Sequence, residues 1–560
     1  MDVAAPAGSS TTASSRIAGW VQWLRHPAAG VVIGSLGIAG LAWILRELMG
    51  PFQGRPLIFE YLFMRNEPSA AVLSAVVVGA AVIARNKIGA LEQLVTRLSQ
   101  RPHAFVAATT FLCACGAVIV YRRHPLSMDE YAPVFQAAAF ARGGLAGKVP
   151  PELLPRLIPP VHWFLLASPS GDMISVYWPG FALLLTPFTL LGCPWLLNPL
   201  ITGASLLVLW HVAGIIFPGT TAPGWTVLIA AASPAFFVNG MSFYSMPAHL
   251  LCSTAFVALL LNPAGPRLFW AGVVGSFALS LHNPFPHVLF ALPWILWIAL
   301  QPGRLRRLFT LAAGYLPGTA ILCGGWLVLR SRLTAASDPG RVASGLLEEL
   351  RRSAFTLPGP EVLWNRSLAL VELGLWAVPL LLPLAVLGAR RLRGRIEARL
   401  LVRSALLTLA GFFFVRYDQG HGWGFRYFHS AWGVLPLLAA GALEMAPSAQ
   451  VSLRRLAIAA SLGSLLLANP LRCLQVRSMI DAHLAQIPRE AAERSREVVF
   501  VRPDRGYYSI DLVQNDPFLE GRRWTLIGHG ATDEEQFMRR AFPAAHRVAA
   551  NPVASVWEVP

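Results

Sequence analysis

The chain has 560 residues, 55% of them hydrophobic and 13% charged, with a formal net charge of +17 and a mean hydropathy of +0.53. Soluble domains carry about 25% charged residues, so lipid must be the solvent for much of this chain, which excludes an ordinary soluble domain. A basic excess in such a protein belongs in cytoplasmic loops facing anionic lipid, which removes the case for nucleic acid as a partner.

Residues 1–27 are expected to be a disordered tail, of which 1–15 are small and polar. The flanking Arg16 and Arg25 argue against a cleavable signal. Apolar runs long enough to cross a bilayer are expected near 28–46, 69–84, 104–121, 196–216, 224–240, 247–262, 268–282, 286–300, 308–329, 367–389, 399–416, 430–446 and 453–470. These are thirteen spans in an all-α polytopic membrane protein. The run 179–193, interrupted by Pro187, covers only about 22 Å at 1.5 Å per residue and reads as a short juxtamembrane helix. From about 471 onward, short β-type runs broken by Pro-Asp and Gly predict a small C-terminal α/β appendage reaching residue 560. The six cysteines lie in or beside apolar runs, so neither a disulfide framework nor a zinc site is expected.

If 179–193 does not cross, four basic clusters fall on one side. They are Arg85 to Arg101, Arg304 to Arg307, Arg390 to Arg403, and Arg454 with Arg455. The positive-inside rule makes that side cytoplasmic, with the N-terminus inside and the C-terminus outside. The loop 330–366 also holds arginines, but they are mixed with Glu348, Glu349 and Glu361. Loop 122–178, the turns near 243–249 and 282–287, loop 330–366, the segment 416–430 and the tail then share the outer face.

Two loops and the helix ends near His249 and His282 carry the polar side chains that could do chemistry. Asp129 and Glu130 stand just beyond the third span, where adjacent carboxylates could serve as a general base or hold a divalent cation. The plainer use of two acids there is to complement a helix dipole. Arg142, Lys148, His162, Tyr177 and Trp178 follow in the same loop. Cations and aromatics at an interface suit a lipid-borne phosphate, or else a snorkelling aromatic belt. The segment RYDQGHGWGFRYFHS crowds Arg416, His421, Arg426 and Tyr427 between two spans, where charge beside hydrocarbon is expensive and marks function. His249 and His282 stand at outer helix ends. No spacing motif demands a metal.

The order of these pieces resembles a known family. A span leads to an external loop opening with Asp-Glu, and a Trp-Pro-Gly segment starts the short helix. SPAFFVNGMSFYSMPAH, an Asn-Pro turn before LPWILW and a late Gly-Phe-Arg-Tyr follow. The pattern is similar to that of bacterial GT-C glycosyltransferases, in the branch of the protein mannosyltransferases and aminoarabinose transferases. The resemblance covers 104–470, making that the catalytic membrane domain. Residues 28–103 add two helices and a cytoplasmic linker, and 471–560 add the appendage.

The resemblance implies an inverting membrane glycosyltransferase of the bacterial inner membrane. The donor is a sugar on a polyprenyl phosphate, and the acceptor is a hydroxyl on a glycan, lipid or protein at the periplasmic side. It makes Asp129, with Glu130 beside it, the catalytic candidate. Where related enzymes often place a second acid, near Ser245 to His249, this chain has none. A transporter or lipid flippase is the rival reading, but it predicts inverted repeats and charged mid-membrane helices that the sequence does not display.

Overall fold

The computed structural model describes residues 27–52, 54–158, 164–335, 356–445, 451–488 and 496–560. His162 and most of loop 330–366 lie outside these. The described chain is a helical bundle carrying two small sheets at one end. Among the described residues five helices are long and apolar enough to cross a membrane, Pro27–Met49, Ile58–Ala84, Pro194–Ile216, Arg304–Leu333 and Val451–Leu484. The helices Gly89–Gln100 and His103–Ile119 are long and apolar enough only when taken together, and they are bent by 90° at the break between them.

Thirteen spans were expected, and the difference arises where the chain breaks apolar runs. Ser233 ends the helix Ala222–Ala232 and the chain restarts at Pro234, because a residue before proline is pushed out of the α region. Trp376 to Leu380 likewise divide the helices Pro360–Leu375 and Leu381–Arg391. The remaining apolar helices, such as Met246–Leu260 and Phe285–Ala299, have fewer than 18 residues. The second helix starts at Ile58, well before the expected residue 69, and so draws Glu67 into the bundle. The last long helix continues to Leu484, past the expected end at 470.

The bundle has two chemically different ends. At one, Arg395 donates to the Ile216 carbonyl, Arg391 to that of Ala442 and Arg454 to that of Leu443, while Arg455 pairs with Glu92. At the other end stand the helix Met128–Ala141 and a three-stranded antiparallel sheet. Its strands are β1 (Gly147–Lys148), β2 (Leu165–Ala167) and β3 (Asp172–Ser175), in the order β1-β3-β2. The chain from 496 onward adds a second sheet in the order β5-β4-β7-β6, built from β4 (Arg496–Val501), β5 (Arg523–Ile527), β6 (His546–Ala550) and β7 (Ala554–Val559), with the helix Ala531–Ala541.

The tail is fused to the first loop. Met128, Tyr131, Phe135, Leu165 and Met173 share one hydrophobic core with Val498, Phe500, Leu526 and Trp557. The Tyr131 hydroxyl donates to the Asn515 carbonyl and accepts the Asn515 N–H. Arg156 pairs with Asp533 at 2.8 Å. Burial of this shared apolar surface, at roughly 25 cal/mol per Å², makes the tail part of the same body as the helix that bears Asp129.

Candidate active site

Asp129 and Glu130 both occupy the first turn of Met128–Ala141, yet their side chains point to different fates. One Asp129 carboxylate oxygen accepts the Tyr177 hydroxyl, and the other accepts the Arg426 guanidinium at 2.8 Å. Its side chain keeps 16% exposure while that of Arg426 keeps 5%. Burial pushes the Asp129 carboxyl up. Arg426, His282 and the hydrogen bond from Tyr177 outweigh that and hold it below the usual carboxylate range.

Glu130 is fully buried. Its oxygens accept the backbone N–H of Leu126 and of Phe243, each at 2.8 Å. This carboxylate clips the start of the helix to the turn before Met246. Burial pushes it up to about 7 against the two N–H bonds.

Three elements bring partners to Asp129. The strand β3 leads into Tyr177, whose ring lies on the His282 ring with centroids 3.9 Å apart. The Trp178 N–H donates to the His282 carbonyl at 3.3 Å and the Gly180 N–H to the Ser280 carbonyl at 2.8 Å, which fixes that register. The third element is the turn 416–426. Gly420 and Gly424 sit at φ of +60° and +73°, a region open to glycine at little cost. Gln419 clamps the turn: its Oε1 accepts the Arg426 N–H at 3.0 Å and its Nε2 donates to the Gly424 carbonyl at 2.9 Å. The Gln419 carbonyl also accepts the Arg426 guanidinium. That guanidinium lies over the Tyr244 ring at 4.5 Å. Its Nε and Nη1 are buried without a hydrogen-bond partner among the described residues, so the cation keeps donors in reserve.

Asp511, from the tail, was invisible to the sequence reading. One of its oxygens accepts the Met128 N–H at 3.2 Å, capping the helix that carries Asp129. The other lies 3.6 Å from His421 Nδ1. Burial pushes Asp511 up to about 8, with repulsion from Asp129 and Glu130 adding to it and the Met128 N–H opposing. The same burial pulls His421 down to about 3 and His282 to about 4, so both imidazoles are neutral at pH 7.

Asp129, Tyr177, His282, His421 and Arg426 therefore converge, with Trp178 and Tyr427 alongside. Tyr427 stacks on Phe412 at 4.6 Å, donates to the Asp418 carbonyl at 2.6 Å and lies under Arg366 at 4.9 Å. The other cations go elsewhere. Arg142 pairs with Glu520 of the tail at 2.5 Å and Lys148 with Asp172 at 3.0 Å. Arg416 is exposed. His249 is buried, and neither ring nitrogen has a partner among the described residues. Among those residues no group of three or more His, Cys, Asp or Glu side chains is arranged to hold a metal ion.

No protein-family model matches the sequence, and no curated protein matches it. The fold does have solved counterparts. The structure of ArnT from Cupriavidus metallidurans bound to undecaprenyl phosphate is similar with a TM-score of 0.54 at 12% identity, covering 81% of this chain and 97% of that one. The apo structure of the same protein gives 0.51 at 13% identity with the same coverage. At that identity the similarity shows the fold alone: this chain shares its overall fold with the ArnT structures.

Proposed function

We propose that the protein is a membrane glycosyltransferase that moves a sugar from a polyprenyl-phosphate donor to an acceptor hydroxyl on the external, periplasmic side. The observation that carries this reading is the Asp129–Arg426 pair, a partly exposed carboxylate held against a buried guanidinium at 2.8 Å. It sits at the bundle end opposite the basic residues Arg391, Arg395, Arg454 and Arg455. The positive-inside rule puts those residues in the cytoplasm and the pair outside. A solved structure with a similar fold, that of ArnT, holds undecaprenyl phosphate, and this supports such a lipid as the donor's carrier.

The pair explains how a base is kept latent. With Arg426 beside it, Asp129 is a weak base. A donor phosphate competes for the guanidinium, whose charge-assisted bonds to an oxyanion are among the strong ones. Asp129 loses its counter-ion and gains basicity as the donor seats. It then accepts the acceptor's hydroxyl proton while the oxygen attacks the anomeric carbon. The sugar–phosphate C–O bond breaks on the opposite face, inverting that carbon, and the electron pair leaves on the lipid phosphate beside Arg426. Tyr177 and neutral His282 hold the carboxylate's orientation.

The test is transfer itself. Purified protein in lipid nanodiscs is incubated with radiolabelled polyprenyl-phosphate sugars and hydroxyl-bearing envelope acceptors. Label should move with the wild type and at least about a hundredfold more slowly with Asp129→Asn. No transfer from any such donor removes the reading and favours a lipid transporter.

A further inference from the structure

The second helix, Ile58–Ala84, carries a charge where lipid-facing chemistry gives it no excuse. Glu67 is 1% exposed inside the bundle. Both its oxygens accept from Arg472, at 2.9 and 2.6 Å, and one also accepts the Trp376 indole N–H at 2.9 Å. The Arg472 guanidinium lies 4.1 Å from the centre of the Trp376 ring. It donates as well to Gln475 Oε1 at 2.9 Å, and Gln475 in turn donates to the Asn66 carbonyl at 3.0 Å. Charged groups at membrane depth are retained for a use.

What the cluster touches gives the use. Trp376 occupies the break between Pro360–Leu375 and Leu381–Arg391, and its ring packs against Trp423 of the active-site turn with centroids 6.1 Å apart. Gly424 is so close that a Cβ there would lie 3.0 Å from the Trp376 Cβ. The Trp423 carbonyl accepts Asn239 Nδ2 at 2.9 Å, and its indole donates to the Tyr121 hydroxyl. The turn that presents Arg426 is therefore seated on an indole whose orientation Glu67 and Arg472 set from below.

We propose that Glu67 is a positioning residue for the active-site turn, so that the second N-terminal helix, through Arg472 and Trp376, holds residues 419–426 in the shape that aims Arg426 at Asp129. Its catalytic consequence rests on the transferase reading; the positioning itself does not.

Backbone hydrogen exchange of the full chain in nanodiscs tests it without an activity assay. In Glu67→Gln the amides of 419–426 should exchange at least about tenfold faster, while strand β4, remote from the cluster, keeps its wild-type rate. Equal acceleration everywhere, or none in the turn, overturns the proposal. The double variant E67M/R472M removes both charges, so no unpaired ion is left in the core. The turn should still exchange faster, because Trp376 has lost its acceptor. Wild-type protection in the double variant reduces Glu67 to a counter-ion and also overturns the proposal. Where transfer is observed, Glu67→Gln should lower kcat/KM and add little to an Arg426→Ala background. Full additivity there counts against it. A wild type inactive with every donor would sink the proposed function and leave the exchange result to stand.

Discussion

Asp129 and Glu130 are neighbours in sequence with opposite environments, and their variants should fail in different ways. Asp129→Asn keeps the shape and an acceptor for Tyr177 but cannot take a proton. A general base contributes roughly 10²–10⁴-fold, so turnover per folded molecule should fall by at least about a hundredfold, while the loss of Arg426's counter-ion lowers the thermal midpoint as well. Glu130→Gln places an NH2 against one of the two backbone N–H groups that the carboxylate now satisfies. That leaves a buried donor unmet at a cost of about 1–3 kcal/mol. The expected signature is a lower unfolding midpoint with kcat per folded molecule largely kept. Enzyme assays paired with thermal scans separate the two. If Glu130→Gln lost turnover at full stability, the roles assigned here would be exchanged.

The turn 416–426 behaves as one element, because Gln419, Gly420, Gly424 and Arg426 each depend on the others for their backbone positions. Arg426→Ala removes the cation and a strut of the turn together. Charge-assisted bonds of this kind contribute about 1.5–3 kcal/mol, so kcat/KM for the lipid donor should fall by roughly one to two decades. Arg426→Lys supplies charge without the fork that reaches both Asp129 and the Gln419 carbonyl, and should rescue only part of the loss. Unchanged kinetics for the alanine variant would take the turn out of the site.

The sequence made this element legible because charges crowd a short stretch between apolar runs. It also brought out Asp129, Tyr177 and His282, each beside a turn or helix start. Gln419 and Tyr244 carry no such signal, being ordinary polar residues whose partners are set by tertiary contact. Glu67 is a different case. An acid inside an apolar stretch is itself a signal, and the expected span began at 69, just beyond it. Asp511 lies 382 positions from Asp129 (511 minus 129), in a polar tail with no periodicity, so nothing local could have placed it under that helix.

At the scale of the whole molecule the tail, the first loop and the turn form one polar head on an apolar bundle. Reporter fusions should accordingly give a cytoplasmic signal near Gly303 and Arg393 and an external one near Gly144, His421 and the C-terminus. A cytoplasmic C-terminus would place the head inside and undo the proposed side of catalysis.

The head should also carry a pH signature, because its buried acids and imidazoles titrate with opposite sign. Asp511 is raised from 3.8 to about 8 and Glu130 from 4.5 to about 7. Between the unfolded and folded values the native state holds the extra proton, so stability from these groups is full below the unfolded value and is lost as pH rises to the folded one. His421, His282 and His124 are lowered from 6.5 to about 3, 4 and 4 by burial. There the unfolded chain holds the extra proton, and stability grows as pH rises toward 6.5. The two sets oppose each other between about 4 and 6.5. Above 6.5 the imidazoles are neutral in both states and only the acids remain. Stability should therefore fall from pH 6.5 to pH 8, by on the order of 1 kcal/mol per pH unit for each acid still titrating. Asp511→Asn keeps an acceptor for the Met128 N–H and removes the proton, so it should flatten most of that fall, leaving the smaller part from Glu130 below pH 7. Thermal scans of both proteins at pH 6.5, 7, 7.5 and 8 in one detergent decide it. Parallel slopes would mean that Asp511 takes up no proton on folding, and that its carboxylate accepts the Met128 N–H in the ionised form.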